Sequence, residues 1–359
     1  MNTKAIAVAI QTKRPVILWG APGGGKTSWI TELARVLNRH LEIVIASIHD
    51  PSDFGLPIVV DRQVIYSPAP WARRLVEAGG GILCFDEATT APPAMQAGLL
   101  RVLHEGWVGD TPLPKNTLKI LAANPSETTT GTWLFSPPLA NRICHLDWDV
   151  STDQWVEGMS FGWDSLYKDL PAIPDDWEAG VPMQRRLIAS FIRIRSVLRN
   201  AQPEDQEAAG KAWPSGRTWD MAADMRAAGE SVGLPETEIQ ELMAGCVGTA
   251  AALEYITWKE KLDLPDPHDM LKNPSKIKLP ERDDQLFAAL TGMVSCALDK
   301  LNETTWNACW QVMERVAKKN KGDLIFLPGK ALLDRKGKMV LPDTLVAIAP
   351  LLRQAGLLR

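Results

Sequence analysis

The sequence predicts an α/β fold: a parallel sheet carrying a phosphate-binding loop, then a helical domain, then a mainly helical C-terminal extension. Three observations carry this reading. Over the first 150 residues, short apolar runs alternate with stretches of helical spacing, the pattern of strands buried on both faces. Gly20-Ala21-Pro22-Gly23-Gly24-Gly25-Lys26-Thr27 matches G-x-x-x-x-G-K-[ST] in full. Strand-like runs then largely cease after Asp149. A chain of 359 residues exceeds what one hydrophobic core fills, and the expected division is 1–150, 151–263 and 264–359.

In order along the chain, residues 15–19 form an apolar strand and 20–27 a glycine-rich turn. Residues 28–38 form a helix with Ile30, Leu33, Ala34 and Leu37 on one face. Further strands are expected at 41–46, 82–85, 118–122 and 143–146. Residues 57–60 and 64–67 flank Asp61-Arg62-Gln63 like a small hairpin, just after Asp53-Phe54-Gly55. Residues 185–199 and 238–261 read as helices, with a proline-bearing loop at 171–182. Four prolines between Leu264 and Pro280 mark a second break. The tail reads as helices at 284–301 and 304–319, a strand-turn-strand at 324–327 and 339–341, and a last apolar helix.

Composition excludes several classes. No apolar run approaches the ~20 residues that span a bilayer, so no membrane association is expected. The apolar stretch 5–10 stops at Gln11-Thr12-Lys13 without a cleavage pattern, so it is not read as a signal peptide. Thirty-nine Lys+Arg against forty-three Asp+Glu give a net charge of −4, which argues against a broadly basic surface and leaves room only for a local patch. The five cysteines are odd in number and none has metal-ligand spacing, the thiol usage of a reducing compartment, so a cytoplasmic protein is expected. The fourteen tryptophans show no interleaved basic pattern and are read as core or interface residues; the arginines of 185–199 are read as a solvated face.

The chemistry concentrates around the glycine-rich turn. Its glycines let backbone N–H groups turn inward around phosphate oxygens, and the following helix adds its positive end. Lys26 would reach the β- and γ-phosphates, and the Thr27 hydroxyl would ligate Mg²⁺. Gly20, Pro22, Gly23, Gly24, Gly25 and Ser28 complete the expected nucleotide cradle. Ile82-Leu83-Cys84-Phe85-Asp86-Glu87 is an apolar strand closed by two acids. Asp86 is placed to share Mg²⁺ with Thr27, and Glu87 to deprotonate an attacking water. Asn124 ends the strand at 118–122; its amide could hold that water, or it could merely begin the turn before Pro125.

Several stretches resemble the MoxR family of AAA+ ATPases, in the helix-2-insert clade. They run Leu99-Leu100-Arg101-Val102-Leu103-His104-Glu105, Val108-Gly109-Asp110, Leu113-Pro114, Ala123-Asn124-Pro125-Ser126-Glu127, Gly131-Thr132 and Leu139-Ala140-Asn141-Arg142. The hairpin at 57–67 is similar to the insert of that clade. The resemblance covers about residues 14–150 and continues more loosely to about 230. It implies a P-loop AAA+ core with a helical lid at 151–263, and Asn124 as the sensor-1 residue. Arg142 stands at the position of the arginine finger, which acts on a neighbouring subunit; Arg101 is the alternative. The family pattern has Asp where this chain has Asn141. Pro214-Ser215-Gly216-Arg217 resembles the sensor-2 motif, in which the lid arginine, here Arg217, touches the γ-phosphate.

The resemblance implies Mg²⁺-dependent ATP hydrolysis in a homo-oligomeric, hexameric ring that remodels or matures a protein client. A protein with a von Willebrand A domain is the expected partner. The alternative is a DNA-acting motor or restriction component. The segments Asp53-Phe54-Gly55 and Asp61-Arg62-Gln63 offer one phenylalanine and little positive charge, which favours a protein client over nucleic acid.

Overall fold

The structure, a computed structural model, describes residues 3–125, 131–337, 339–354 and 356. Helix α1 (Thr3–Gln11) precedes strand β1 (Val16–Trp19), helix α2 (Lys26–Val36) and strand β2 (Leu41–Ile45). A hairpin of β3 (Leu56–Val60) and β4 (Gln63–Ser67) leads to α3 (Pro70–Glu77), β5 (Ile82–Asp86) and α4 (Pro93–Glu105). The short pair β6 (Trp107–Val108) and β7 (Thr111–Pro112) precedes β8 (Leu118–Ala123), α5 (Pro137–Ala140) and β9 (Cys144–Asp147). Among the described residues, the regular elements that follow are helices: α6 (Thr152–Phe161), α7 (Val181–Ile194), α8 (Gln206–Ala209), α9 (Gly216–Ser231), α10 (Glu236–Val247) and α11 (Thr249–Glu260). The tail adds α12 (Pro267–Lys272), α13 (Asp283–Asp299), α14 (Glu303–Ala317), α15 (Phe326–Asp334) and α16 (Asp343–Gln354).

The chain divides into two compact units: residues 1–181 with 197–254, and residues 182–196 with 255–359. In the first, five parallel strands run in the order β2-β5-β8-β1-β9. Buried Ile17, Leu83, Phe85 and Leu121 pack one sheet face against Met95, Leu99 and Val102 of α4. Trp19 pairs with Ala123, and Phe85 with Leu121. The carboxyl ends of β1, β8 and β5 therefore open side by side, where parallel sheets hold their ligands. The β3–β4 hairpin is fastened at its base. Gly109 N–H donates to the Phe54 carbonyl at 2.6 Å and Tyr66 N–H to the Asp110 carboxylate at 2.7 Å, while Leu56, Val59 and Val64 stay exposed.

The second unit has its own core of Leu286, Leu290, Met293, Trp306, Trp310 and Met313. Trp306 and Trp310 meet edge to face at 5.6 Å between ring centres.

Two expectations are corrected. The stretch 238–261 is two helices, broken at Gly248 with φ 84°, a left-handed conformation that favours glycine. The strand-turn-strand at 324–327 and 339–341 does not form. Gly322–Ile325 is a 3₁₀ turn leading into α15, and 339–341 lies outside any strand. Leu324, Ile325 and Leu332 are buried in the helical core of their unit, where an isolated strand would have no partner for its backbone groups. Ser126 and Glu127, part of the resemblance above, lie outside the described residues.

Gly245 brings α10 against the edge strand. A Cβ there would stand 2.5 Å from the His145 carbonyl oxygen and 3.0 Å from Cys144 Sγ. Gly245→Ala must push α10 off β9, and overpacking of this kind costs about 1–3 kcal/mol. The expected result is a lower urea midpoint at unchanged m-value, and an unchanged midpoint would contradict the close approach.

Candidate functional site

The turn between β1 and α2 has the geometry of an anion cradle. Gly23 and Gly25 take φ of 75° and 81°, and a Cβ at either would meet nothing within 4 Å, so open space lies over the loop. Gly25 is the N-cap of α2 and supplies no side-chain cap, leaving the first N–H groups of the helix without intrahelical acceptors. Gly20 is fixed for the opposite reason: a Cβ there would clash with the Trp148 carbonyl oxygen. Trp148 also donates from Nε1 to the Gly24 carbonyl at 2.6 Å and stacks at a tilt on Trp29, so it backs the whole loop.

Lys26 is buried at 7% exposure and ties three segments together. Its Nζ donates to the carbonyls of Gly20 (2.6 Å) and Ala21 (3.1 Å) and to Asn124 Oδ1 (2.9 Å). Burial lowers the pKa of this ammonium, opposed by Asp86. Thr27 Oγ1 donates to Asp86 Oδ2 at 2.6 Å, linking the start of α2 to the end of β5. The hydroxyl and carboxylate that would share a cation are thus already in contact, and the open loop, uncapped helix and buried lysine fit a magnesium-bound nucleotide phosphate.

Glu87 sits in the left-handed region at φ 54°, ψ 38°, an uncommon conformation for a non-glycine residue and one that concentrates at working sites. Its carboxylate is exposed, and Ser47 Oγ, just beyond β2, donates to Oε2 at 3.1 Å. Sequence reasoning missed Ser47 and Trp148. Neither lies in a motif; each is brought to the site only by strand order and by the return of the chain after β9.

The structure places the phosphate loop, Asp86, Glu87 and Asn124 along one sheet edge, with Pro22 and Ser28 exposed on the loop and the α2 start. Arg142 and Arg217 stand elsewhere, within electrostatic reach of one another. Arg142 donates from Nη1 to the Pro138 carbonyl at 2.6 Å, and its Nε is buried without a hydrogen-bond partner. Burial, then the nearby Arg217, lower its pKa. The same two arginines, after burial, lower that of His104. Arg217 Nη1 reaches only Asn141 Oδ1, at 3.5 Å, and that oxygen already accepts from Ser215 Oγ at 2.8 Å. Neither Arg142 nor Arg217 has a carboxylate partner among the described residues, whereas Arg101 faces Glu105 at 3.4 Å. A cavity of about 1240 Å³ opens beside Trp19, Phe135 and His145, but no residue of the phosphate loop lines it.

Fold and site together define a P-loop α/β protein with a nucleotide-binding edge. Residues 15–125 match the family model described as AAA domain (dynein-related subfamily), so the fold is that of an AAA+ domain. No curated protein matches the sequence. Among solved structures, a Cytophaga hutchinsonii protein provisionally described as an ATPase is similar at 18% identity. That likeness covers 72% of this chain and 88% of the other with a TM-score of 0.44, too low to add to the assignment.

His145 braces the base of the loop. Trp19 Nε1 donates to its Nδ1 at 3.0 Å, and its Nε2 donates to the Ala140 carbonyl at 3.0 Å, which requires the neutral ring. Burial lowers its pKa to about 4, with Lys211 adding to the shift and the Ala140 carbonyl opposing it. The unfolded chain therefore binds an extra proton between about pH 6.5 and 4, and stability falls as pH drops through that window. The loss reaches at most about 3 kcal/mol. Unfolding followed against pH should show this slope in wild type and a shallower one, by about one proton, in His145→Phe; equal slopes would show that His145 titrates normally.

Proposed function

We propose that the protein is a Mg²⁺-dependent ATPase whose active site is completed by a neighbouring copy, in a MoxR-like ring that remodels a protein client. The observation that carries this reading is the three-way contact of Lys26 with the loop carbonyls and Asn124, beside the Thr27–Asp86 pair. Lys26 and the backbone N–H groups at the start of α2 hold the phosphates, and Thr27 and Asp86 hold the cation. Bound MgATP supplies the phosphoryl group that is transferred to water. Glu87 accepts the proton of that water, and its hydrogen bond from Ser47 sets where the carboxylate points. Asn124 keeps its amide N–H₂ free to orient the water while Oδ1 accepts from Lys26.

Arg142 and Arg217 are read together as groups offered to the next subunit. Two neighbouring guanidiniums without a carboxylate raise one another's energy, and a phosphate presented from outside relieves it. Arg217 keeps the sensor-2 role of touching the γ-phosphate, and its position near Asn141 and within electrostatic reach of Arg142 supports pairing the two. A head-to-tail interface that closes on itself gives a ring, and six subunits follow from the family resemblance. The exposed apolar β3–β4 hairpin supports a protein client, with a von Willebrand A protein as the partner class.

Glu87→Gln should bind ATP with near-normal affinity and hydrolyse it about 10²–10⁴-fold more slowly; a wild-type rate would remove Glu87 from the mechanism. Arg142→Ala should also bind ATP but turn it over poorly, since such fingers contribute about 10³–10⁵ in rate. Mixed with Lys26→Ala, which keeps its arginine but lacks a pocket, it should regain activity at the shared interface. A mixture that co-assembles yet stays inactive would assign Arg142 to its own subunit or to structure alone.

A further inference from the structure

The division into units changes the meaning of the chain's net charge. Residues 182–196 with 255–359 carry 21 lysines and arginines against 13 aspartates and glutamates, a net +8. The other unit carries 18 against 30, a net −12. A whole-chain value of −4 therefore conceals one strongly basic unit.

Within that unit about half of the excess lies in two segments, 272–284 and 314–321, that meet at one place. Arg315, on α14, donates from Nη1 to the Pro274 carbonyl at 2.5 Å and from Nη2 to the Ile277 carbonyl at 2.7 Å. It thereby pins the loop after α12 beside the end of α14. Lys272, Lys276 and Lys278 come from the loop side, and Lys318, Lys319 and Lys321 from the helix side. Three of the nearby acids are already engaged, and a fourth, Glu281, is exposed on the same segment. Glu314 pairs with Lys318 at 2.7 Å, Asp283 with Lys321 at 2.7 Å and Asp284 with Arg282 at 2.6 Å. Lys272, Lys276, Lys278 and Lys319 are exposed, and none has a carboxylate partner among the described residues.

Helix ends explain part of this. Lys272 closes α12, and Lys318 and Lys319 follow α14, where the helix dipole favours cations. Lys276 and Lys278 stand on the loop beyond either helix and have no such reason to be there. The chemistry of the patch also limits its ligand. Neither 272–283 nor 315–321 contains an exposed large apolar side chain, so nothing there would insert into a lipid surface or stack on an unpaired base. What remains is a set of compact ammonium charges on a fixed scaffold, suited to a regular array of phosphates.

We propose that this lysine surface binds the phosphate backbone of double-stranded DNA without reading its sequence. The inference goes beyond the ATPase reading and does not rest on it, because no residue of the nucleotide site takes part. Each ammonium neutralises about one phosphate and releases its counterion, so affinity falls with salt at about −0.9 per contact on a log–log plot. The four unpaired lysines correspond to a slope of about −3 to −4.

The test is fluorescence anisotropy of the full chain with a short fluorescein-labelled DNA duplex of mixed sequence, over a range of salt concentrations. The expected result is binding with that slope, indifferent to sequence and weaker for a single strand of equal length. K276Q/K278Q should reduce the slope by about two and weaken binding at least tenfold at low salt, with ATPase rate and thermal unfolding unchanged. K272Q/K319Q should act similarly and independently. Absence of duplex binding at low salt would overturn the proposal, as would binding unaffected by both double variants. Binding to phosphatidylserine-containing vesicles but not to the duplex would assign the surface to a membrane instead, and tighter binding of the single strand would overturn the backbone reading.

Discussion

The site depends on one buried ammonium. Lys26 cannot sit at the carboxyl edge of a parallel sheet without acceptors, and it finds them in the Gly20 and Ala21 carbonyls and the Asn124 side chain. Those acceptors come from the loop after β1 and from the end of β8. The Thr27–Asp86 hydrogen bond adds β5. Three adjacent strands are thereby held in one register at the edge where the phosphate loop opens. Trp148 then fixes the loop from behind, since only glycine at position 20 lets its carbonyl approach so closely. A phosphate entering this loop would take over part of the role the carbonyls now play for the lysine.

The arginines follow a different logic. Where Lys26 is satisfied within its own chain, Arg142 has a buried Nε without a partner and stands beside Arg217. Groups left in this condition are costly unless something outside the chain meets them. Under the proposed ATPase reading, a nucleotide phosphate held by the next copy would be that partner, and assembly and turnover would then be parts of one mechanism.

Much of this was legible in the sequence because the decisive residues are local. The phosphate loop, the acid pair closing β5 and Asn124 ending β8 each lie at a strand terminus, and strand termini can be read from apolar runs. Ser47 and Trp148 were not legible, because strand pairing and a long-range chain return bring them to the site. The break at Gly248 is not legible, because a single glycine in an apolar helical pattern gives no sign of φ 84°. The strands expected at 324–327 and 339–341 failed because a short apolar run does not tell a strand from a buried helix. The basic surface was hidden for a third reason. Its lysines come from two segments about forty residues apart that are joined only by the Arg315 hydrogen bonds to the Pro274 and Ile277 carbonyls, and the whole-chain charge averages them against an acidic unit.

The most direct test of the central claim is calorimetric titration of MgATP into wild type and Lys26→Ala, with circular dichroism on both. If Lys26 is the ammonium that binds phosphate, the variant keeps the helical and sheet signal while the binding heat disappears. Equal affinity in the two proteins would contradict the account at its base, because the loop would then hold nucleotide without the residue around which its contacts are arranged.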